Sequence, residues 1–424
     1  MIQNQQQRPA IKGFVFISLL LMYTIAYNLR WRGTQALWFA SVFLAGISLI
    51  FVIITKRKWM FRMNFMSGWM LVVYAYFCLS LLWASNKTFA NPLKSLIIIF
   101  GISILLLAVI DTMEDVRRLV LINYLAILFC ALYLVTTVDL SLLGTVRLGS
   151  SVEGAWNAND ISGKMCIGIS FSVYLLKYAK GKLKKAFLIL SMLLFLVLIL
   201  FCGSRTGFLL LAMLFVFYLF VSARGIKVFR AVVISVAFSI VAYYLIMNWE
   251  PAYNVLGSRV ETLLRGLAGG NGDGSFNWRR LMLEEGWRYF KENPVFGYGI
   301  DSFRYMFGIE KGLETYSHNT FIEILVSGGM VGFLLYYSLY VFILLKLWKY
   351  AIRKKEPLAI TIFVVNLASL IGQFSSMAYY EMETYLLLAC GVLYVLIVKK
   401  EELKHEQSAV IFKKSAEPYF PPEV

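Results

Sequence analysis

The chain has 424 residues, of which 60% are hydrophobic and 15% are charged. This composition excludes an ordinary soluble protein, in which about half of the residues are apolar and about a quarter are charged. The formal net charge of +17 fits either nucleic acid or anionic lipid as a partner, so the positions of the basic residues must decide between them.

Apolar segments bounded by charged or turn residues predict an all-α, polytopic membrane protein of about twelve transmembrane helices. We assign nine helices to residues 1–248, three to residues 319–398, and a cytoplasmic tail to 399–424. The five cysteines all lie in these segments, which is typical of packing residues rather than of disulfides or a zinc site. The predicted spans are 11–28, 36–55, 67–84, 95–110, 119–138, 161–179, 186–202, 206–223, 231–248, 319–345, 357–375 and 383–398.

Lysine and arginine are distributed very unevenly between the two sides of this topology. Most of them lie in the two termini and in the connections that share their side. The positive-inside rule therefore places both termini in the cytoplasm and the protein in the cytoplasmic (inner) membrane. The basic excess is then a topology signal that attracts anionic lipids, and nucleic acid is excluded as a partner.

Residues 249–318 form a single long loop on the extracytoplasmic side. Loops of this length in compact proteins are usually functional or disordered, and this one is rich in aromatic residues. We expect it to begin irregularly and to contain a flexible linker, GGNGDGS, at 269–275. An amphipathic helix is predicted at 278–292, lying in the plane of the membrane interface and ending at Asn293-Pro294.

His318 ends this loop, in the string SHNTFIEILVSGGMVG. The chain has two histidines, and the other one, His405, lies in the cytoplasmic tail. His318 is therefore the candidate general base on the outer side at neutral pH. The alternative is a hydrogen-bonded histidine at the membrane interface. Asn319 follows it directly and Glu323 lies one helical turn further on, and both are candidate substrate-binding residues.

Arg205 lies in GSRTG, at 203–207, between the seventh and eighth spans. A charge at the membrane surface is expensive unless it is paired or functional. Ser204 or Thr206 can cap the following helix, whose N-terminal end attracts anions. These three residues predict a phosphate or diphosphate site. The alternative is an arginine that extends to the lipid head groups.

Arg279 and Arg280 open the amphipathic helix and are further candidate anion ligands. Arg280 starts a series of alternating charges at residues 280, 284, 288 and 292, which favours surface ion pairs for it and leaves Arg279 as the better candidate. Trp156 and Asn159, before the sixth span, suit either sugar binding or a membrane-interface belt. No metal-ligand pattern or cofactor motif occurs, so arginines would have to stabilise developing charge in an enzyme.

Three motifs resemble the O-antigen ligase and Wzy-type O-antigen polymerase superfamily. They are GSRTG between two spans, the loop signature WRRLMLEEGWRYFKENPVFGYGIDSF at 278–303, and the His-Asn motif that enters a span with glycines after it. In the loop signature, an arginine lies about 15 residues before the Pro of Pro-x-x-Gly-x-Gly, which places Arg279 there with Arg280 one residue off, so either can be the key loop arginine. The likeness covers about 150–345. The chain departs from the family at Ser327, where an acidic residue is frequent, and at Asn157-Ala158-Asn159.

The resemblance implies a GT-C-like membrane glycosyltransferase that uses a polyprenyl-diphosphate-linked glycan as donor, with a glycan or lipid-linked acceptor. Arg205 and Arg279 would bind the diphosphate and His318 would be the general base, with inversion at the anomeric carbon and no metal. Membrane lipids and other polysaccharide assembly proteins are the further partners it implies.

Three other classes of protein remain as alternatives. A lipid-linked oligosaccharide flippase or other transporter would place charged residues near the bilayer midplane, whereas the candidates here cluster at the outer surface. A peptidoglycan polymerase of the shape, elongation and division type has a similar topology, and a non-catalytic glycan-binding membrane protein is the third alternative. Polymerase and ligase share the motifs and differ in the acceptor, with polymerase slightly favoured because nothing marks a non-glycan acceptor.

Overall fold

The computed structural model describes residues 3–28, 35–55, 64–85, 91–137, 144–145, 147–148, 157–223, 225–270 and 272–416. All regular secondary structure in these ranges is helical, which confirms the all-α prediction. The helices are α1 Gln3–Asn28, α2 Gln35–Thr55, α3 Phe65–Leu79, α4 Asn91–Val109, α5 Met113–Thr137, α6 Ala158–Tyr178, α7 Lys182–Phe201, α8 Arg205–Ser222, α9 Ile226–Asn248, α10 Glu250–Ala252, α11 Ser258–Leu267, α12 Gly274–Glu292, α13 Ser302–Lys311, α14 Thr320–Trp348, α15 Pro357–Gly372 and α16 Met382–Ala416.

Within the described ranges, eight helices are long and apolar enough to cross a membrane. Three further apolar helices are shorter, at Gly13–Ile25, Arg205–Val221 and Pro357–Gly372. The polytopic membrane class is therefore supported, whereas the count of twelve spans and the GT-C-like arrangement stay predictions. The eight candidate spans are Ala36–Thr55, Phe65–Leu82, Pro92–Val109, Met113–Thr137, Lys182–Phe201, Lys227–Asn248, Thr320–Arg353 and Met382–Ser408.

Side-chain caps fix the starts of the helices that carry the candidate site. Asn157 caps α6, Ser204 caps α8, Asp273 caps α12 and Asn319 caps α14, each by accepting a hydrogen bond from a backbone amide of the first turn. Such caps satisfy amides that have no partner within the helix. Helix α6 packs against α5, α7, α8 and α15, and α14 packs against α3, α12, α15 and α16.

The outer loop is helical from its start, so the prediction of an irregular beginning was wrong. Pro251 stands in the first turn of α10, where a proline costs no hydrogen bond. A π-helical turn, Tyr253–Gly257, then leads into α11. The first two pieces have only three and five residues, and α11, although amphipathic, has only ten, so no long periodic segment marked this region as helical. Helix α12 also begins four residues earlier than predicted, because Asp273 caps it, and α13 was not predicted.

Much of the apolar side of α12 is buried by protein rather than turned to the membrane interface. Met282, Tyr289 and Phe290 form a buried cluster with Phe303 of α13 and Ile322 of α14. At Gly286 a side chain would collide with Ile322, so the glycine permits this close approach. The docking places the second half of α12 against the first turn of α14.

Helix α14 is broken at Gly329, which adopts φ 59° and ψ −162°. The amides of Met330 and Val331 donate to the carbonyl oxygens of Pro294 and Val295, at 2.8 and 3.1 Å. A Cβ at Gly329 would collide with the Val295 carbonyl. The break therefore requires a glycine both for its left-handed backbone and for the approach of a second chain segment.

That second segment is the Pro-x-x-Gly-x-Gly string at 294–299. The amides of Tyr298 and Gly299 donate to the carbonyl oxygens of Val326 and Ser327, at 2.8 and 2.9 Å. Gly297 has φ 66°, and a Cβ there would lie 2.5 Å from the Val326 oxygen. The glycines of the loop signature and of the last motif thus form one backbone clamp, which ties α12 to α14.

Candidate active site

Four arginines from separate segments gather near one end of α6, α8 and α14. They are Arg147, Arg205, Arg259 and Arg279, and their charges act on one another. Asp273 is the carboxylate that pairs with this arginine cluster among the described residues. Among the described residues the cluster thus holds four guanidinium groups and one carboxylate, a composition that favours binding of a polyanion.

Arg205 is held from both sides at the start of α8. Its Nη1 and Nη2 donate to Asp273 Oδ2 and Oδ1 at 3.1 and 3.3 Å, and Nη1 also donates to the Arg259 carbonyl oxygen at 3.3 Å. Ser204 accepts a hydrogen bond from the Gly207 amide and donates to Asn159 Oδ1 at 2.6 Å. The arginine is therefore paired inside the protein and does not depend on lipid head groups for a partner.

Arg279 projects into the cluster from the first turns of α12. Burial, reinforced by the charge of Arg205, lowers its pKa from the ordinary value, and Arg259 adds to this effect. Within the described residues its guanidinium makes no hydrogen bond or ion pair, although Asp273 lies close enough to act on it electrostatically. Arg279 thus keeps donors available for an incoming anion.

Arg147 and Arg259 were not among the predicted site residues. Arg147 donates from Nε to the Cys202 carbonyl oxygen at 2.6 Å, and burial together with the charge of Arg259 lowers its pKa to about 10. Burial and the charge of Arg205 also lower the pKa of Arg259, whose Nε is buried without a partner. Neither lies in a recognisable motif, so only the fold shows their proximity to Arg205.

His318 lies next to this cluster in the turn before α14. Its φ is 54°, a left-handed conformation that is uncommon for a residue with a side chain. Its ring packs on Tyr316, with 4.2 Å between centroids, and its Nδ1 is buried without a hydrogen-bond partner. Burial, together with the charge of Arg279, lowers its pKa to about 4. The imidazole is therefore neutral at pH 7, and among the described residues no group bonds to its Nδ1.

Asn319 and Glu323 hold the His318 turn in place. Asn319 Oδ1 accepts from the amides of Phe321 and Ile322, at 2.9 and 3.3 Å. Glu323 is fully buried, and its Oε2 accepts from the Ser317 amide at 3.0 Å. Both residues were predicted to bind substrate, and both instead accept hydrogen bonds from backbone amides before or after the histidine.

The structure leaves one of the predicted residues, Arg280, apart from the cluster, and another lies outside the described residues. Arg280 is exposed and pairs with Glu284 at 2.8 Å, as its i, i+4 spacing suggested. Trp156 lies outside the described residues. Asn159 and Thr206 line a cavity beside the start of α8. Arg205, Arg279 and His318, which come from three distant motifs, are therefore brought together, and Arg280 is not.

Residues 189–337 match the family profile described as O-antigen ligase. All three motifs lie within this range, and the match confirms the O-antigen ligase and polymerase superfamily predicted from them. No curated protein matches the chain.

Proposed function

We propose that the protein transfers a glycan from a polyprenyl diphosphate to an acceptor sugar hydroxyl at the extracytoplasmic face, since residues 189–337 match the family profile described as O-antigen ligase. The product is a longer cell-surface glycan, made either by polymerisation or by ligation. The single observation that carries this proposal is the juxtaposition of Arg205, Arg279 and His318 within one electropositive site.

The arginine cluster supplies what a diphosphate leaving group needs. Negative charge grows on the diphosphate oxygen as the glycosidic bond breaks, and donors already fixed in place stabilise that charge without reorganising. Arg205 presents a planar pair of donors, and Arg279 adds donors that no described residue occupies. This arrangement supports a metal-independent reaction, in which guanidinium groups carry the charge that a divalent ion would otherwise neutralise.

His318 is the general base for the acceptor hydroxyl in this mechanism. Its low pKa makes it a weak base, because burial and the charge of Arg279 both oppose its protonation. A bound diphosphate offsets the Arg279 charge and raises the His318 pKa toward the working pH. The base therefore gains strength when the donor is in place, which suppresses proton transfer before both substrates are bound.

The neighbouring residues have positioning roles in the proposal. Ser204 fixes the start of α8, Asn319 fixes the start of α14, and Glu323 holds the backbone before the histidine. Attack from the side opposite the diphosphate inverts the anomeric carbon. No acid is needed for departure of the diphosphate, so the carboxylate pair of a glycosidase is not required.

The test uses purified protein in liposomes, supplied with the lipid-linked glycan extracted from producing cells, without nucleotide and with a metal chelator. We expect longer glycan with an inverted linkage, read by gel electrophoresis and by nuclear magnetic resonance of the anomeric proton. His318→Ala should reduce transfer at least a hundredfold, within the 10² to 10⁴ range that general-base catalysis contributes, while undecaprenyl diphosphate still binds.

Two results would contradict the proposal. Full transfer by His318→Ala would remove the base from the mechanism. Movement of the intact lipid-linked glycan across the liposome membrane, with no new glycosidic bond, would instead establish the flippase alternative. Supplying lipid-linked repeats alone and then with a second acceptor separates polymerase from ligase.

A further inference from the structure

A cavity of about 360 Å³ lies beside the arginine cluster, between the first turns of α6, α8 and α16 and the last turns of α15. Its volume is within the range of about 300–1,000 Å³ that is usual for small-ligand pockets. It borders the proposed chemistry on two sides. Thr206, next to Arg205, is part of its wall, and so is Tyr316, whose ring packs on His318.

The lining of this cavity differs in charge from the arginine cluster. Lys164 and Glu383 form an ion pair of 3.0 Å across it, and Asp160 and Glu381 are further members of the wall. Among the described lining residues there are thus three carboxylates and one ammonium group, with the amides of Asn157 and Asn159 beside them.

Such a wall suits an uncharged, hydroxyl-rich ligand. Carboxylates accept hydrogen bonds from sugar hydroxyls, amides both donate and accept them, and tyrosine rings pack on the apolar faces of sugars. The arginine cluster suits a diphosphate instead. Two adjacent sites with different linings can thus separate the two substrates of a transfer.

We propose that this cavity binds the acceptor, which is an uncharged sugar at the growing or receiving end of a glycan. This assignment rests on the proposed function. The acceptor hydroxyl is directed past Tyr316 to His318. Its proton passes to His318, its oxygen forms a bond to the anomeric carbon of the donor, and the carbon–oxygen bond to the diphosphate breaks. The electron pair leaves with the diphosphate, which stays on the arginine cluster.

Gly163 offers a way to fill the cavity without disturbing the fold. It lies in α6 on the cavity wall, and no heavy atom lies within 4 Å of a Cβ built there. Gly163→Leu and Gly163→Phe therefore place increasing volume in the cavity. Gly101→Leu is the matched control, because Gly101 is also a helical glycine with no such neighbour, and it lies in α4 away from the cavity.

The experiment measures two properties of each variant in liposomes. Binding of undecaprenyl diphosphate reports on the arginine cluster, and extension of lipid-linked glycan from producing cells reports on the whole reaction. We expect both Gly163 variants to bind undecaprenyl diphosphate as wild type does, with extension reduced about tenfold in Gly163→Leu and further in Gly163→Phe. Gly101→Leu should match wild type in both measurements.

Unchanged extension in Gly163→Phe would overturn the acceptor assignment while the proposed function stands, since wild type still extends glycan. Loss of undecaprenyl diphosphate binding in the Gly163 variants would also overturn it, by assigning the cavity to the lipid donor. A wild-type protein that forms no longer glycan would instead refute the proposed function itself, and the acceptor cavity with it.

Discussion

Asp273 occupies the arginine cluster in the position that a substrate anion would take. Its carboxylate accepts two hydrogen bonds from Arg205, lies 3.8 Å from Arg259, and caps α12 through the Phe276 amide at 2.7 Å. A diphosphate that binds to Arg205 must compete with this carboxylate. Asparagine is as good a cap as aspartate, so Asp273→Asn removes the competing charge and keeps the helix start.

The size of this effect follows from the geometry of the pair. Hydrogen bonds to charged groups contribute about 1.5–3 kcal/mol, and the strongest of them have lengths of about 2.7–2.9 Å. The two bonds to Arg205 are longer, at 3.1 and 3.3 Å, and a quarter of the Asp273 side chain is exposed. The low end of that range, about 1.5 kcal/mol, corresponds to roughly a tenfold lower Kd for the diphosphate.

The assay is binding of undecaprenyl diphosphate to protein in nanodiscs at low and at high salt. We expect Asp273→Asn to bind about tenfold more tightly at low salt, with a smaller gain at high salt because ions screen partly exposed charges. Glu284→Gln is the matched control, since it removes one carboxylate from the same helix at the exposed Arg280 pair. Weaker binding by Asp273→Asn would refute the competition and show that the carboxylate instead holds Arg205 in its binding position.

Three further predictions concern single residues. Arg279→Lys should lower transfer about ten- to a hundredfold, because the partly buried guanidinium donors are lost. Arg280→Lys is the control at the exposed neighbour and should leave transfer within twofold. Equal losses in the two variants would contradict the placement of Arg279. A nuclear magnetic resonance titration should give the His318 imidazole a midpoint near pH 4 in the free protein and a higher midpoint with undecaprenyl diphosphate bound. A midpoint near 6.5 in the free protein would contradict the burial of the imidazole beside Arg279. Because this pKa lies below that of the unfolded chain, His318 should reduce stability as pH falls from about 6.5 to about 4. Gly329→Ala should lower the melting temperature through about 1–3 kcal/mol of backbone strain plus the collision with Val295, whereas Gly101→Ala should not.

The helices were predictable because lipid exposure imposes continuous apolar segments. The predicted span 186–202, for example, corresponds to α7 at Lys182–Phe201. The same logic fails in the outer loop, where α10 and α11 are short and half-buried and show no long apolar period. The glycines of the two long motifs were visible in the sequence, but their shared purpose was not, since it depends on backbone contacts between residues 294–299 and 326–331.

The candidate site was predictable only where its residues lie in motifs. Arg205 and His318 stand at helix starts, where a charged or titratable residue in an apolar context is conspicuous. Asp273 was hidden in the glycine-rich stretch interpreted as a linker, although its capping role is a local one. Arg147 and Arg259 are separated from Arg205 by 58 and 54 positions in the chain, and no local pattern could link them to it.

The crowding of the four arginines is itself an argument for a bound anion. Burial and mutual repulsion lower the pKa of three members below the ordinary value. Among the described residues, Asp273 neutralises part of this charge. In the proposed mechanism, a bound diphosphate neutralises more of it, and this attraction favours donor binding. Burial and the charge of Arg279 both lower the His318 pKa. A diphosphate offsets the second of these causes, so in this proposal donor binding also strengthens the base.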